Sequence, residues 1–407
     1  LIDDGESDGT RNPDVALATL ARLAAASGKG SEIGPALSRS LAAAAAERRL
    51  ARFAAMNIRI LRGMGRFLDA ATVAVGDERV KARRFVIATG GRQPSWRWAE
   101  DLASGVRLSL ADLCRLRTAP EAVLVLGGSA EAVSAAQSLA RLGSRVTLVA
   151  EALLPGYDPE LLGRLEPRLR RDGIAVLRGT LERAQATPSG ALATLSDGTT
   201  LTVPHLLFAE APHPALAPLD PERAGLALRD GALVLDAALR TSKPHIFAVG
   251  RVAGARSTAE GTAQAAHVLR AALMPVAGRL KPEMVPLVAV TRPEIAQVGR
   301  LVADAGTRAF RTPLPSHADE AGGLLKVVVD RRGRIIGAGL AGSGAPDLLP
   351  FWSLAIARGL TLTDLRDAIP PSPSAAESLR AIVVQDLAWR LASPWVRHAL
   401  RVARRLS

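Results

Sequence analysis

One stretch of the chain strongly limits the folds that it can adopt. The apolar run Val123–Leu126 leads into a turn at Gly127–Ser129, a helix is predicted over Glu131–Leu142, and a second apolar run follows at Val146–Val149. Unbroken apolar runs are typical of strands buried on both faces, and two parallel strands need a crossover such as a helix between them. The stretch therefore predicts a βαβ unit inside an α/β domain.

The turn in this unit has the spacing of a dinucleotide-binding turn. Such a turn needs one small residue for the bend, one where the pyrophosphate approaches and one for helix packing. Gly127, Ser129 and Ala132 hold these positions, with Gly128 between the first two. Ser129 places a side chain near the phosphate, although its hydroxyl can donate a hydrogen bond. Glu151 follows at the distance of the acidic residue that binds the adenosine ribose. The pattern fits a nucleotide site, or a βαβ unit that serves packing alone.

Further elements surround this unit. Alanine-rich stretches at 15–27 and 35–55 predict two helices. Short apolar or alternating runs predict strands at Ile58–Leu61, Thr72–Val75, Arg84–Ile87, Ala175–Leu177 and Leu206–Phe208, and Asp197-Gly198 predicts a hairpin turn. The last third predicts an antiparallel α+β unit, with a hairpin over Lys326–Ala338 and helices at Pro350–Arg358 and Ala376–Leu391.

Charge and composition exclude several function classes. The net charge of +13 is almost entirely arginine, and aromatic residues are 3% of the chain. Nucleic-acid binders interleave basic and aromatic residues, so we expect no nucleic-acid role. Cys114 is the single cysteine, which we expect to be a core residue, and it lies beside no second metal-type ligand, so no metal site is predicted. We expect a cytoplasmic location.

Seven segments, in order, resemble the class I pyridine nucleotide-disulfide oxidoreductases, the group of dihydrolipoamide dehydrogenase and mercuric reductase. The resemblance covers nearly all of the chain. The matching segments are Arg66–Pro94, Val123–Glu151, Thr241–Gly250, Val285–Gly299, Lys326–Gly342, Phe351–Ile369 and Pro371–Leu379.

The resemblance implies a fold and a domain order. We expect an α/β protein with two Rossmann-like dinucleotide-binding domains, one FAD-type and one NAD(P)-type, and a C-terminal α+β dimerisation domain. The implied ranges are 1–118 for the FAD-type domain, 119–240 for the NAD(P)-binding domain, 241–283 for a return segment of the first domain, 284–392 for the dimerisation domain and 393–407 for a tail. We also expect about 30 residues, one strand-glycine loop-helix unit, to precede Leu1.

The resemblance also implies cofactor-binding residues. Asp3 would hold the adenosine ribose of FAD, and Gly5 falls at a family glycine. Thr89-Gly90 and Gly250 would lie beside the flavin. The NAD(P)H site would use Gly127, Gly128, Ser129, Ala132 and Glu151. Glu151 has no basic neighbour in the sequence, which slightly favours NADH over NADPH.

Several positions depart from the family pattern. The family's two redox cysteines would fall at Arg11 and Ala16, and the chain has one cysteine in all. Ser372 stands where the family has its catalytic histidine, although Glu377 is retained; Glu377 can equally be a helix-start residue that fits the helix dipole. Arg251 replaces an aspartate that binds the ribityl chain, which weakens the expectation of FAD binding. A Gly-Arg-x-Pro turn is replaced by Ala211–Pro214.

Two functions remain open at this stage. The first is an FAD-dependent NAD(P)H oxidoreductase that passes electrons to a non-disulfide acceptor such as a quinone or dioxygen. The alternative is a catalytically inactive, degenerate paralogue that acts as a dimeric binding or scaffold module, or a truncated gene product. We expect a homodimer through residues 284–392 in either case. The basic amphipathic tail at 393–407 is compatible with contact to an anionic membrane surface, or with a terminal helix packed on the dimer.

Overall fold

The computed structural model describes most of the chain beyond residue 55. The described residues are 2–3, 53, 55–92, 97–103, 105–113, 116, 118–209, 213–274, 281–314, 322–372 and 374–392. They form two compact units. The first contains the described residues within 1–153 and 172–281, and the second contains 154–171 and those within 282–407.

The elements are numbered along the chain. The α-helices are α1 (Arg97–Glu100), α2 (Leu110–Leu113), α3 (Ala130–Arg141), α4 (Pro159–Arg171), α5 (Thr258–Leu273), α6 (Ala345–Ala357) and α7 (Ser378–Leu391). Short 3-10 helices lie at Ala217–Leu219, Pro221–Ala224, Gly250–Ala253, Pro282–Met284, Thr363–Leu365 and Ala375–Glu377.

The strands of the first unit are short and numerous. They are β1 (Ile2–Asp3), β2 (Leu61–Arg62), β3 (Gly65–Asp69), β4 (Thr72–Val75), β5 (Glu78–Lys81), β6 (Phe85–Ile87), β7 (Gly91–Arg92), β8 (Arg107–Ser109), β9 (Ala122–Leu126), β10 (Arg145–Ala150), β11 (Ala175–Arg178), β12 (Leu181–Thr187), β13 (Gly190–Leu195), β14 (Thr200–Val203), β15 (Leu206–Phe208), β16 (His213–Pro214), β17 (Leu228–Arg229), β18 (Ala232–Leu233) and β19 (Ile246–Ala248). The second unit has β20 (Leu287–Ala289), β21 (Ile295–Gly299), β22 (Arg308–Leu314), β23 (Gly323–Val329) and β24 (Ile335–Ala341).

A parallel sheet carries the βαβ unit. Its strand order is β11-β10-β9-β15-β8, and each neighbouring pair runs parallel. Helix α3 connects β9 to β10 and buries small residues such as Ala132, Ala135 and Ala136, which let the helix pack closely on the sheet. A three-stranded antiparallel sheet, β12-β13-β14, shares a core cluster with this sheet through Ala193 and Leu206. The predicted βαβ unit is confirmed.

A second core in the first unit lies around paired strands β6 and β19. These two strands run parallel, with Ile87 opposite Ala248. The antiparallel sheet β3-β4-β5 packs on them, and Phe67 meets Phe85 edge-on at a centroid distance of 5.6 Å. The short pairs β1-β2, β7-β16 and β17-β18 complete the strand pairing. The first unit therefore has two cores, and the second takes in Leu216–Leu233 from the range predicted for the NAD(P)-binding domain.

The second unit is built on an antiparallel sheet of order β20-β21-β24-β23-β22. All seven residues of β23 are buried, so both faces of this strand are covered. On one face, Trp352 of α6 and Ile382 of α7 join a core with Val327 and Leu340. Helix α4 covers the other face, where a Cβ added to Gly339 would lie 2.9 Å from a methyl group of Leu161. The predicted α+β unit is confirmed.

Most element boundaries lie within two residues of the sequence predictions, and a few differ by more. The strand predicted over Ile58–Leu61 is observed only as β2, whose two residues pair with the two residues of β1. Helix α6 begins at Ala345 rather than Pro350, because a proline inside a helix removes one backbone hydrogen bond without necessarily ending it. The predicted helices at 15–27 and 35–55 lie almost entirely outside the described residues, as do Cys114 and the tail at 393–407. The predicted domain boundaries stay predictions.

Candidate dinucleotide-binding sites

The Gly127–Ser129 turn lies at the carboxyl end of β9, directly before α3. Gly127 has a φ of +116°, which favours glycine, and its N–H donates to the carbonyl of Val149 at 2.9 Å. A Cβ added to Gly128 would lie 1.8 Å from the carbonyl oxygen of Ala152. The first position therefore needs glycine for its backbone conformation, and Gly128 needs it for a close approach to the loop after β10.

Ser129 serves as the N-cap of α3. Its Oγ accepts a hydrogen bond from the Ala132 N–H at 3.1 Å and donates to the Ala209 carbonyl at 3.2 Å. Ala132 is fully buried, which fits the third small position of the turn. Because the hydroxyl proton is already donated to a carbonyl, a phosphate at this helix end would be held by the remaining backbone N–H groups.

Glu151 follows β10 and is exposed. Strand β11 places Arg178 opposite Ala150, and Arg178 Nη1 donates to the carbonyl oxygen of Glu151 at 3.4 Å. Glu151 has no basic neighbour in the sequence, but the fold brings Arg178 to its main-chain carbonyl, and the slight preference for NADH stays a prediction. The arginine comes from the adjacent strand, 27 residues away. An arginine near the ribose is a feature that accommodates the 2′-phosphate of NADPH.

The segments assigned to the flavin meet at the carboxyl ends of β6 and β19. Gly90, beside Thr89, has a φ of +74°, and Gly250 has a φ of +77°. The Gly250 N–H donates to Gln264 Oε1 on α5 at 2.8 Å. A Cβ added to Gly261, one turn into α5, would lie 3.3 Å from the Cα of Gly250. The N-terminal half of α5 therefore packs tightly against this turn.

Arg251 makes a contact that the sequence did not reveal. Its Nη2 lies 2.7 Å from Oε1 of Glu131, in the first turn of α3, and the two side chains are only 24% and 11% exposed. The family aspartate at this position would accept hydrogen bonds, whereas a guanidinium only donates them. The backbone of the FAD region fits a dinucleotide site, and this one side chain departs from it.

Other predicted site residues lie apart from these turns or outside the described chain. Asp3 ends β1, where it lies opposite Arg62 of β2; its predicted role at the ribose stays a prediction. Ser372 is exposed. Glu377 ends a 3-10 helix directly before α7, and its Oε1 is buried without a hydrogen-bond partner among the described residues. Gly5, Arg11, Ala16, Ala211 and Pro212 lie outside the described residues.

His267 is a buried group that sequence reasoning missed. It lies on α5, 2% exposed, and its Nε2 has no hydrogen-bond partner in the part of the chain that the structure describes. Burial, followed by the nearby charge of Arg270, lowers the pKa of this imidazole. In an alanine-rich helix, the sequence carries no signal that distinguishes a buried histidine from an exposed histidine.

Comparison with known proteins identifies the family. The model described as pyridine nucleotide-disulphide oxidoreductase matches residues 18–271, and that of the dimerisation domain of the same family matches residues 285–382. A mercuric reductase of Streptomyces lividans is 31% identical over 348 residues, covering 79% of this chain and 72% of the relative. A dihydrolipoyl dehydrogenase of Geobacillus stearothermophilus is 26% identical over 345 residues, covering 79% of this chain and 72% of the relative.

The relatives are longer, and the fold is shared with solved structures. A mercuric reductase of Lysinibacillus sphaericus is 27% identical over 362 residues, with 82% of this chain covered but only 65% of the relative. The HOCl-induced flavoprotein disulfide reductase RclA from Escherichia coli has the same fold, with a TM-score of 0.79, 24% identity, and 91% of this chain and 89% of that chain covered. Among the described residues, no helix is long and apolar enough to cross a membrane. The chain belongs to the pyridine nucleotide-disulphide oxidoreductase family.

Proposed function

We propose that this protein is an FAD-dependent NAD(P)H oxidoreductase that passes electrons to an acceptor other than a disulfide. The observation that carries the proposal is the backbone geometry at two strand edges. One edge has the Gly127 turn and the start of α3, and the other has Gly90 and Gly250, each with a positive φ. Dinucleotides bind at such carboxyl ends of parallel strands.

Each half of the proposed site has its own residues. The backbone N–H groups at the start of α3 would hold the pyrophosphate of NAD(P)H, since a helix N-terminus favours anions. Glu151 would accept hydrogen bonds from the adenosine ribose. Arg178 would bind a 2′-phosphate, so we expect NADPH to bind as well as NADH. Bound FAD would supply the two-electron chemistry, because the cofactor carries the reactivity.

The number of cysteines supports an acceptor other than a disulfide. A disulfide route stores two electrons in a sulfur-sulfur bond and so needs two cysteines. The 407 residues contain one. Ser372, at the histidine position of the family, cannot exchange a proton at neutral pH as an imidazole does. A quinone or dioxygen fits these constraints, because a reduced flavin can pass electrons to either without a protein thiol.

The test is the visible absorption spectrum of the purified protein, followed by NADH- and NADPH-driven reduction of a quinone. We expect a flavin spectrum that bleaches with either nucleotide and turnover above that of free FAD. A matched variant, Gly128→Val, should lose nucleotide-dependent bleaching, because its side chain would collide with the Ala152 carbonyl. Turnover of the wild-type protein equal to that of free flavin would contradict the proposal.

A second function is favoured by the Arg251–Glu131 contact. A guanidinium where the family has a carboxylate weakens the case for tight FAD binding, which supports an inactive dimeric binding or scaffold module. That function predicts a folded protein whose melting temperature does not respond to FAD or NADH. A ligand that binds only the native state must raise the melting temperature. A rise in melting temperature on addition of FAD or NADH would therefore count against the second function.

The proposed assembly is a homodimer through residues 284–392. The dimerisation-domain match supports it. Helices α6 and α7 also expose large apolar side chains, among them Leu354 at 57%, Val384 at 57% and Leu387 at 54%. Light scattering should give twice the chain mass, and Leu387→Asp should shift the mass towards the monomer. Contact of the 393–407 tail with a membrane stays a prediction, since those residues lie outside the described structure.

A further inference from the structure

The ion pair between Arg251 and Glu131 joins two nucleotide-binding edges of the first unit. Arg251 follows Gly250 at the carboxyl end of β19, and Glu131 lies in the first turn of α3, after the carboxyl end of β9. The Nη2–Oε1 distance is 2.7 Å, and both side chains are largely shielded from water. The two residues are 120 positions apart in the sequence. The pair therefore lies between the turn at Gly250, which is assigned to the flavin, and the turn at Gly127, which is assigned to NAD(P)H.

Glu131 places a carboxylate in the first turn of α3, at the helix end where a pyrophosphate would bind. The first turn of a helix stabilises negative charge, and the Glu131 carboxylate supplies that charge here. Arg251 compensates this carboxylate. Breaking a shielded ion pair by removing one partner leaves the other charge poorly solvated, so the pair resists opening unless a ligand replaces the lost contact.

We propose that the Arg251–Glu131 ion pair, here called the clasp, blocks the space between the Gly127 turn and the Gly250 turn. The nicotinamide half of NAD(P)H must break this ion pair to reach the flavin. The inference rests on the proposed function. The adenosine half binds on the other side, beside Glu151 and Arg178 at the ends of β10 and β11, and does not meet the clasp. The clasp therefore lowers the affinity for a complete dinucleotide without lowering it for the adenosine portion.

The test compares the affinities for NADH and for ADP-ribose, which lacks the nicotinamide, by titration calorimetry of the full chain. We expect Glu131→Gln to raise the ratio of NADH to ADP-ribose affinity about fivefold, a typical size for coupling between sites. The matched control is Glu121→Gln. Glu121 pairs with Arg145 at 2.8 Å, at the amino ends of the same strands β9 and β10, with both side chains well exposed. This control should leave the ratio unchanged.

A second variant separates the clasp from simple charge repulsion. Arg251→Gln also opens the clasp but leaves the Glu131 carboxylate uncompensated at the helix end. We expect ADP-ribose to bind more weakly than to the wild type, and the affinity ratio to rise as it does in Glu131→Gln. If both variants bind both ligands with an unchanged ratio of NADH to ADP-ribose affinity, the clasp is contradicted while the proposed function stands. A wild-type protein that binds neither ligand would overturn the proposed function, and the clasp with it.

Discussion

Lys326 on β23 is buried against Asp158, which directly precedes α4. The Lys326 Nζ lies 2.6 Å from Asp158 Oδ2, and their side chains are 6% and 2% exposed. Lys326 pairs across the sheet with Gly339, and the missing side chain there lets α4 approach the same face of the sheet. Glu160 completes the cluster, with its Oε1 2.8 Å from the Lys326 Nζ. This cluster fixes residues 154–171 to the antiparallel sheet of the second unit.

Removing one member of this pair should strongly destabilise the second unit. Lys326→Met leaves the Asp158 carboxylate buried without its cation, which typically costs about 3–5 kcal/mol. Chemical denaturation should show this loss. The control, Lys281→Met, changes an exposed lysine and should stay within about 0.5 kcal/mol of the wild type. The double variant Asp158→Leu/Lys326→Met should recover much of the loss, because no charge is then left unpaired.

Glu160 should make stability depend on pH in the acidic range. Hydrogen bonds from Arg311, above all, and from Lys326 lower the pKa of this carboxyl from 4.5 to about 2. A lowered folded pKa gives stability that is fully present above pH 4.5 and is lost as the pH falls towards 2. Glu160→Gln should flatten the stability curve in this window, whereas Glu182→Gln, on the exposed side of β12, should not. Identical slopes for wild type and Glu160→Gln would contradict this.

His267 should act in a different pH window. Burial lowers the pKa of its imidazole below the usual 6.5, so the unfolded chain binds a proton more readily than the folded one. The resulting stability is present above pH 6.5 and is lost as the pH falls through and below that value. Thermal melts between pH 7.5 and 5 should therefore fall less steeply for His267→Leu than for the wild type. His213→Gln, at an exposed histidine, serves as the control.

A side chain at Gly128 should destabilise the protein and weaken nucleotide binding. In Gly128→Ala the new Cβ would lie 1.8 Å from the Ala152 carbonyl oxygen, and because a Cβ is bonded directly to the backbone, the two backbone segments must move apart. Overpacking of this kind costs about 1–3 kcal/mol, and ADP-ribose affinity should fall with it. Gly163→Ala is the opposite case, since Gly163 is an exposed position of α4 with open space around it. That variant should gain about 0.5–1 kcal/mol.

Ser129 should contribute more to the helix than to a phosphate. Ser129→Ala removes the N-cap hydrogen bond to the Ala132 N–H and should cost about 1 kcal/mol, whereas glycine at an N-cap costs only a few tenths. Ser129→Gly also removes the side chain from the place where a pyrophosphate approaches, so we expect ADP-ribose to bind more tightly to it than to Ser129→Ala. Equal affinities for the two variants would show that the side chain does not obstruct the ligand.

The sequence by itself determined the order of the elements and the type of most of them. The run Val123–Leu126, the turn at Gly127 and the helix up to Arg141 are set by local periodicity and by glycine conformation, which neighbouring residues specify. The same holds for the hairpin between β23 and β24. Composition alone shows that these 407 residues contain a single cysteine, one fewer than a disulfide needs.

Only the tertiary structure decided which distant groups meet. Arg178 reaches the main-chain carbonyl of Glu151 because β11 lies beside β10 in a fixed register. The Arg251 guanidinium meets the Glu131 carboxylate across 120 residues. Lys326 forms an ion pair with Asp158, 168 residues away in the sequence, because α4 covers the face of the sheet on which Gly339 lies. Side-chain periodicity predicts which face of an element is buried, but it carries no information on which distant segment covers that face. Strand order, register and helix packing supply the partner.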